Sequence, residues 1–134
     1  MFLNLSQLND RVEELARVIA APKETLPTFG YSEQSGRPHV EVDANGYHYV
    51  AAERGHEHSR QTTSDIDELL YAVFQDVTFV LACKYELNHR MTGQDFRRIM
   101  FAHQEDLLSR LNQSWGERGR LEHTHILEQY PFDD

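Results

Sequence analysis

The sequence holds a single cysteine, Cys83, among 134 residues. One thiol excludes an internal disulfide framework and a cysteine-rich zinc site. Several chemical motifs are missing too: there is no CxxC, HExxH or EF-hand loop, no P-loop, no GxGxxG and no GxSxG elbow. Nothing therefore supports nucleotide cradling, zinc-dependent proteolysis or an elbow-type serine nucleophile. Repeats and low-complexity segments are lacking. The most apolar stretch is interrupted by Gln75 and Asp76 and is too short to span a bilayer. No basic, apolar leader precedes the first amphipathic segment, so a reducing cytoplasm is the expected location. Positive charge is scarce, with 13 Lys and Arg against 22 Asp and Glu and a formal net charge of −9. The acid is spread along the chain, which disfavours nucleic acid and anionic membranes and favours a basic protein partner.

What is present is an ordinary apolar share of 40% and a charged share of 26%, as in soluble globular proteins. The length predicts one domain over residues 1–134, with a real core. Its organising stretch is Ser64 to Tyr85. Ile66, Leu69, Leu70, Val73, Phe74, Val77, Val80 and Leu81 recur there at helical spacing. Ser64 is the expected N-cap, with Asp65, Asp67 and Glu68 favoured near the positive helix end. Phe79 and Cys83 lie off the first face, so the apolar stripe is expected to widen towards the C-terminal half.

Before it, Leu5, Leu8, Val12, Leu15 and Ile19 predict a first helix, capped by Ser6 and stopped by Pro22. From Thr28 the period changes to two. The segments TFGYSE, HVEVD and YHYVAAER, and a fourth piece near His58 to Thr62, read as a three- to four-stranded antiparallel meander. Turns are expected at Ser35-Gly36, Asn45-Gly46 and Gly55. Any even-length loop at the second turn places Val40, Val42, Tyr47, Tyr49 and Ala51 on one face, assigned to the core. His39, Glu41, Asp43, His48, Val50, Ala52 and Arg54 share the other, assigned to solvent. After the organising helix, Thr92 with Asp95 signals another start, with Phe96, Ile99, Met100, His103, Leu107 and Leu111 as core positions. Ser114 with Glu117 signals a last helix carrying Trp115, Leu121, Ile126, Leu127 and Tyr130. The fold class expected is α+β: an N-terminal helix, the meander, a long central helix and two C-terminal helices.

Eight histidines are the clearest chemical lead. His56-Glu57-His58 on an extended segment would point two imidazoles to one side, and His48 or Asp43 would supply a third ligand. That arrangement defines an alternative reading, a small metal-dependent hydrolase using His48, His56 and His58. Against it stands the reading of solvated surface histidines, and no metal or other cofactor is expected. His123 and His125 are wrongly spaced to share an ion on a helix. Cys83 sits in the most apolar stretch and reads as an inert thiol. No catalytic constellation emerges. The outer sheet face, acidic around Val50 and Ala52, has the makeup of a partner-binding patch.

The segments LPTFGYS (26–32), RPHVEVDANGYHYVAAERG (37–55), DIDELLYAVFQDVTF (65–79), YELNHR (85–90), DFRRIMF (95–101) and YPFDD (130–134) resemble immunity protein 63. That family is encoded beside bacterial polymorphic toxins. The resemblance implies a non-enzymatic protein that binds and blocks a cognate toxin domain, and it carries over no catalytic or ligand residues. The acidic chain suits a toxin with a cationic cleft, such as a nuclease. The expected contact surface is the outer meander face and its rim: Glu33, Glu41, Asp43, His48, Val50, Glu53, Arg54 and Glu57. The expected partner is that toxin, with no nucleic acid and no membrane, and the chain itself a monomer or weak homodimer. A third reading is an adaptor or chaperone that keeps an effector soluble.

Overall fold

The computed structural model describes residues 2–134. Its elements run α1 (Leu5–Val18), a 3-10 turn (Lys23–Thr25), β1 (Thr28–Phe29), β2 (Ser35–Asp43), β3 (Gly46–Glu53), β4 (His56–Thr63), α2 (Ile66–Asn88), α3 (Phe96–Leu111) and α4 (Gln113–Gln129). The α+β class and the order of elements are as the sequence predicts. The chain divides into two compact units, one running to Val73 and one from Phe74 to Asp134.

In the first unit, α1 is capped by Asn4 rather than Ser6. The Asn4 side chain accepts from the Gln7 amide at 2.8 Å, and the Gln7 side chain accepts from the Asn4 amide at 2.9 Å. That reciprocal pair satisfies two amides the first turn leaves unbonded. Leu8, Val12 and Ala16 form its buried stripe. The four strands make one sheet in the order β1-β2-β3-β4. The sheet is mixed rather than wholly antiparallel: β1 is only two residues long and pairs parallel to β2, Thr28 with His39 and Phe29 with Val40. Ser35 and Gly36 open β2 instead of forming a turn, and residues 30–34 make the connection between the two parallel strands.

The β2–β3 hairpin closes on Asp43 and Gly46, which sets Val42 opposite Tyr47 and Val40 opposite Tyr49. The loop is of even length, so the predicted sharing of faces holds. Val40, Tyr47 and Tyr49 are buried, and the Tyr47 hydroxyl accepts from the Leu3 amide at 2.8 Å. The β3–β4 turn has positive φ at both Arg54 (52°) and Gly55 (80°), the backbone that a tight two-residue hairpin requires.

The organising helix α2 starts one residue later than expected. The Asp65 carboxylate accepts from the Asp67 amide at 2.9 Å and is the cap in place of Ser64. Its burial runs opposite to the expected widening. Leu69, Leu70, Tyr71, Ala72, Val73 and Phe74 are all buried, whereas Phe79 and Val80 further on are 47% and 40% exposed.

In the second unit, α3 is capped by Asp95 and α4 by Asn112. The core stripe of α3 is Met100, Phe101, Gln104, Leu107 and Leu108, shifted from the expected one, and Phe96 is exposed. On α4, Trp115 is buried and stacks on Phe74 with centroids 6.2 Å apart. Leu121 and Ile126 on this helix, and Tyr130 just after it, are exposed. At Gly116 the two helices approach closely: a Cβ there would lie 1.8 Å from Ser109 Oγ and 3.0 Å from Ser109 Cα. The C-terminal segment is strapped to the start of α3. Asp134 accepts from the Asp95 amide at 2.7 Å and from Arg98 Nη2 at 2.7 Å, and Phe132 lies 4.0 Å beneath the Arg98 guanidinium.

Candidate functional site

The expected contact residues lie on β2, β3, β4 and their loops. Pleating puts His39, Glu41 and Asp43 of β2 on one face with His48, Val50 and Ala52 of β3. The register adds Thr62 opposite His48, Arg60 opposite Val50 and Glu57 opposite Ala52. Between the last two rows the register shifts, since Ala51 pairs with Ser59 and Ala52 with Glu57. His58 is thus the extra residue of a bulge, which turns Glu57 onto the same side as Arg60 although they are three residues apart.

Two networks result. Arg60 donates to both carboxylate oxygens of Glu57, at 2.7 and 3.0 Å, and to Glu41 Oε1 at 3.2 Å. Because Glu41 is on β2 and Arg60 on β4, the arginine must cross β3 to make that bond. Its apolar stem then covers the sheet beneath it. This corrects the assignment of the face to solvent: Val50 is 1% exposed, and Ala52, His39 and His48 are buried as well. No open apolar centre is left for a partner. What faces outward is a rim of charge, with Glu41 half-buried and Asp43, Glu53, Arg54 and Glu57 exposed.

Each imidazole is tied to a carboxylate. His39 Nε2 meets Glu41 Oε2 at 2.7 Å, while its Nδ1 is a buried nitrogen with no hydrogen-bond partner. His48 Nε2 meets Asp43 Oδ1 at 2.8 Å, and its Nδ1 meets Thr62 Oγ1 at 2.8 Å. A carboxylate only accepts, so donor counting puts a proton on Nε2 and lets Nδ1 accept from the threonine. Hydroxyl, imidazole and carboxylate in that order are the groups of a nucleophile triad. Here they lie across a pleated strand face, with Thr62 exposed on the outer strand, and they tie β4 to β3 and to the β2–β3 turn.

The electrostatics follow from these bonds. His39 above all, then Arg60, hold the Glu41 carboxyl below its ordinary value against an opposing effect of burial. His48 and the Asn45 amide do the same for Asp43, and Arg60 does it for Glu57. Reciprocally, Glu57 and Glu41 hold the Arg60 guanidinium more firmly protonated. The strip thus presents three ionised carboxylates against one guanidinium.

The remaining expected residues fall at the ends. Glu33 pairs with Arg37 at 3.2 Å in the loop before β2. Glu53 and Arg54 form the β3–β4 turn, where His58 lies 3.7 Å from Glu53. His48 and the His56–His58 pair are not brought together, because His56 pairs with Glu53, five residues or roughly 17 Å along β3 from His48. Among the described residues no three His, Cys, Asp or Glu side chains form a group that could hold a metal. The reading of solvated histidines holds for His56, His58 and His125, which are exposed, and is corrected for three others. His39, His48 and, on α4, His123 are all buried. A signal for the first was legible, since His39-x-Glu41 on a strand puts both side chains on one face. Arg60 carried no such signal, because the bulge that re-aims Glu57 is not visible in HEHSRQTT. Cys83 behaves as an inert thiol: burial pushes it up, and it lies 3.5 Å from the Met100 sulfur.

The family model for immunity protein 63 matches residues 43–125, more than half of the chain and including β3, β4, α2, α3 and most of α4. The chain belongs to the immunity protein 63 family. Membership implies an immunity protein directed against a toxin, and a non-enzymatic role. No curated protein and no solved structure matches the chain.

Proposed function

We propose that this chain acts in the cytoplasm as a stoichiometric inhibitor, binding a cognate polymorphic toxin domain and occluding it. The family membership supports the immunity role. The observation that supports the site is the carboxylate strip on β2–β4, where Glu41, Asp43 and Glu57 are held ionised around Arg60. Glu53, Arg54 and Glu33 extend the rim, while His39, His48 and Val50 support it from below. Such a strip complements a cationic surface, and complementary charge speeds encounter and selects partners. A toxin whose cleft binds a polyanion, such as a nuclease, fits that charge.

Co-expression with the toxin domain encoded beside this chain, scoring growth and co-purification, tests the proposal. Rescue of growth with recovery of a one-to-one complex is the expected result. Toxicity without rescue, and no complex, would overturn it.

A further inference from the structure

The two edges of the sheet differ in what they leave open. The β1 edge is two residues long, and the loops around it are tied by the Gly30 amide to the Val40 carbonyl and by Arg37 Nε to the Leu26 carbonyl. The β4 edge runs for eight residues, of which His56 through Thr62 are all exposed. Its sequence, HEHSRQTT, carries no apolar side chain on either face.

The direction of its backbone groups follows from the register. Asp43 and Gly46 close a two-residue turn and so exchange both hydrogen bonds, which makes Glu41–His48 and His39–Val50 the bonded pairs further up. The alternate residues Tyr47, Tyr49 and Ala51 then bond to Thr63, Gln61 and Ser59. The N–H and C=O groups of Arg60 and Thr62 consequently point away from the sheet. No other backbone hydrogen bond engages them among the described residues. The bulge at His58 ends the regular stretch, leaving Ser59 to Thr63 as the template. Charged side chains and a bulge are the devices that guard an edge against casual pairing, and they also select what pairs.

We infer that the toxin docks by strand addition, laying an extended, basic segment of about five residues along Ser59–Thr63 so that its backbone bonds to Arg60 and Thr62. This inference rests on the inhibitor reading above. The charge of the strip decides the occupant. Glu41, Asp43 and Glu57 outnumber Arg60, so lysine or arginine beside Glu57 is favoured and a cation directly opposite Arg60 is not. A second copy of this chain, with its own net charge of −9, would bring like charge to the same edge.

Amide hydrogen exchange on the wild-type chain, free and mixed with the toxin domain encoded beside it, reads the contact directly. The Arg60 and Thr62 amides are expected to slow by about tenfold or more in the complex, while Ser59 and Gln61, already bonded to β3, change little. A complex in which Arg60 and Thr62 exchange as in the free chain would overturn strand addition and leave the inhibitor reading standing. Failure to form any complex would overturn both. A pair of variants adds a second readout: Thr62→Pro removes one outward donor without touching the β3–β4 ladder, and Thr62→Val keeps it. Both variants lose the hydroxyl that meets His48 Nδ1, so the valine is the reference, and the proline is expected to bind toxin about tenfold more weakly than it does. Equal affinity of the two would count against the inference.

Discussion

Two buried imidazoles in this molecule have nearly the same surroundings and opposite uses. His48, 5% exposed, meets Asp43 at 2.8 Å, and His123, 8% exposed, meets Glu105 at 2.7 Å. Beyond the first bond they diverge. The His48 network ends in carboxylates at the surface, with the Asp43 side chain 54% exposed on a hairpin turn. The His123 network runs inward: Nε2 meets Gln104 Oε1 at 3.0 Å, and the Gln104 amide donates to the Gln75 carbonyl and to Thr78 Oγ1. His123 also stacks on Phe101, with centroids 3.9 Å apart. One network aims charge at solvent, and it is the one proposed above for recognition. The other satisfies polar groups between α2, α3 and α4 within the second unit, and serves stability.

The sharpest way to break that contrast is to remove each imidazole's neighbourhood and compare. His123→Leu leaves Gln104 Oε1 and Glu105 without their partner and loses the ring stack. It is expected to cost about 2–4 kcal/mol in urea unfolding. Toxin binding per folded molecule should be unchanged. A loss below ~0.5 kcal/mol would mean that the inward network is dispensable.

Gly116→Ala is the next largest. Alanine normally favours a helix over glycine by about 1 kcal/mol, but here a Cβ meets both the side chain and the backbone of Ser109. A net destabilisation of about 1–3 kcal/mol is expected. Adding Ser109→Gly should recover part of it in a double-mutant cycle. Stabilisation by the single change would show that the α3–α4 approach is looser than described.

The smallest effect separates the networks by pH. Glu41 and Glu57 have folded-state values depressed below the ordinary 4.5, by His39 and by Arg60 respectively. A depressed carboxyl contributes stability that is present above 4.5 and lost as pH falls through the folded value. Glu57 is exposed and Glu41 half-buried, so solvent screens both and the contribution is modest. Glu41→Gln with Glu57→Gln should lower stability modestly near pH 7, where both carboxylates are ionised, and flatten the acid limb below pH 4.5, where the wild type loses the same contribution. A curve of wild-type steepness would place the acid sensitivity elsewhere.

The comparison also marks what the residues alone could tell. Strand parity was legible because the β2–β3 loop is of even length, and parity grouped His39, Glu41, Asp43, His48 and Val50 correctly. Their exposure was not legible: Val50, His39 and His48 are buried beside an arginine that crosses β3 to reach Glu41, a bond between strands nineteen residues apart that leaves no local pattern. Helix starts were legible to within one to three residues, the widest miss being Thr92 where Asp95 caps α3. Each serine read as a cap gave way to an Asn or Asp one or two residues away, at Asn4, Asp65 and Asn112, all of them side chains that cap at least as well. His123 was misread as a solvated side chain because its partners Gln104 and Glu105 are distant in sequence, and pairings of that range leave no local spacing to find.

The central claim is that the carboxylate strip is where the toxin binds. Titration calorimetry of the toxin domain with wild-type chain and with Glu41→Lys/Asp43→Lys, at low and at physiological salt, addresses it most directly. The account predicts one-to-one binding by the wild type, and binding by the variant that is at least about tenfold weaker and less salt-sensitive. Equal affinity and equal salt dependence for a folded variant would contradict it and move the interface off the strip.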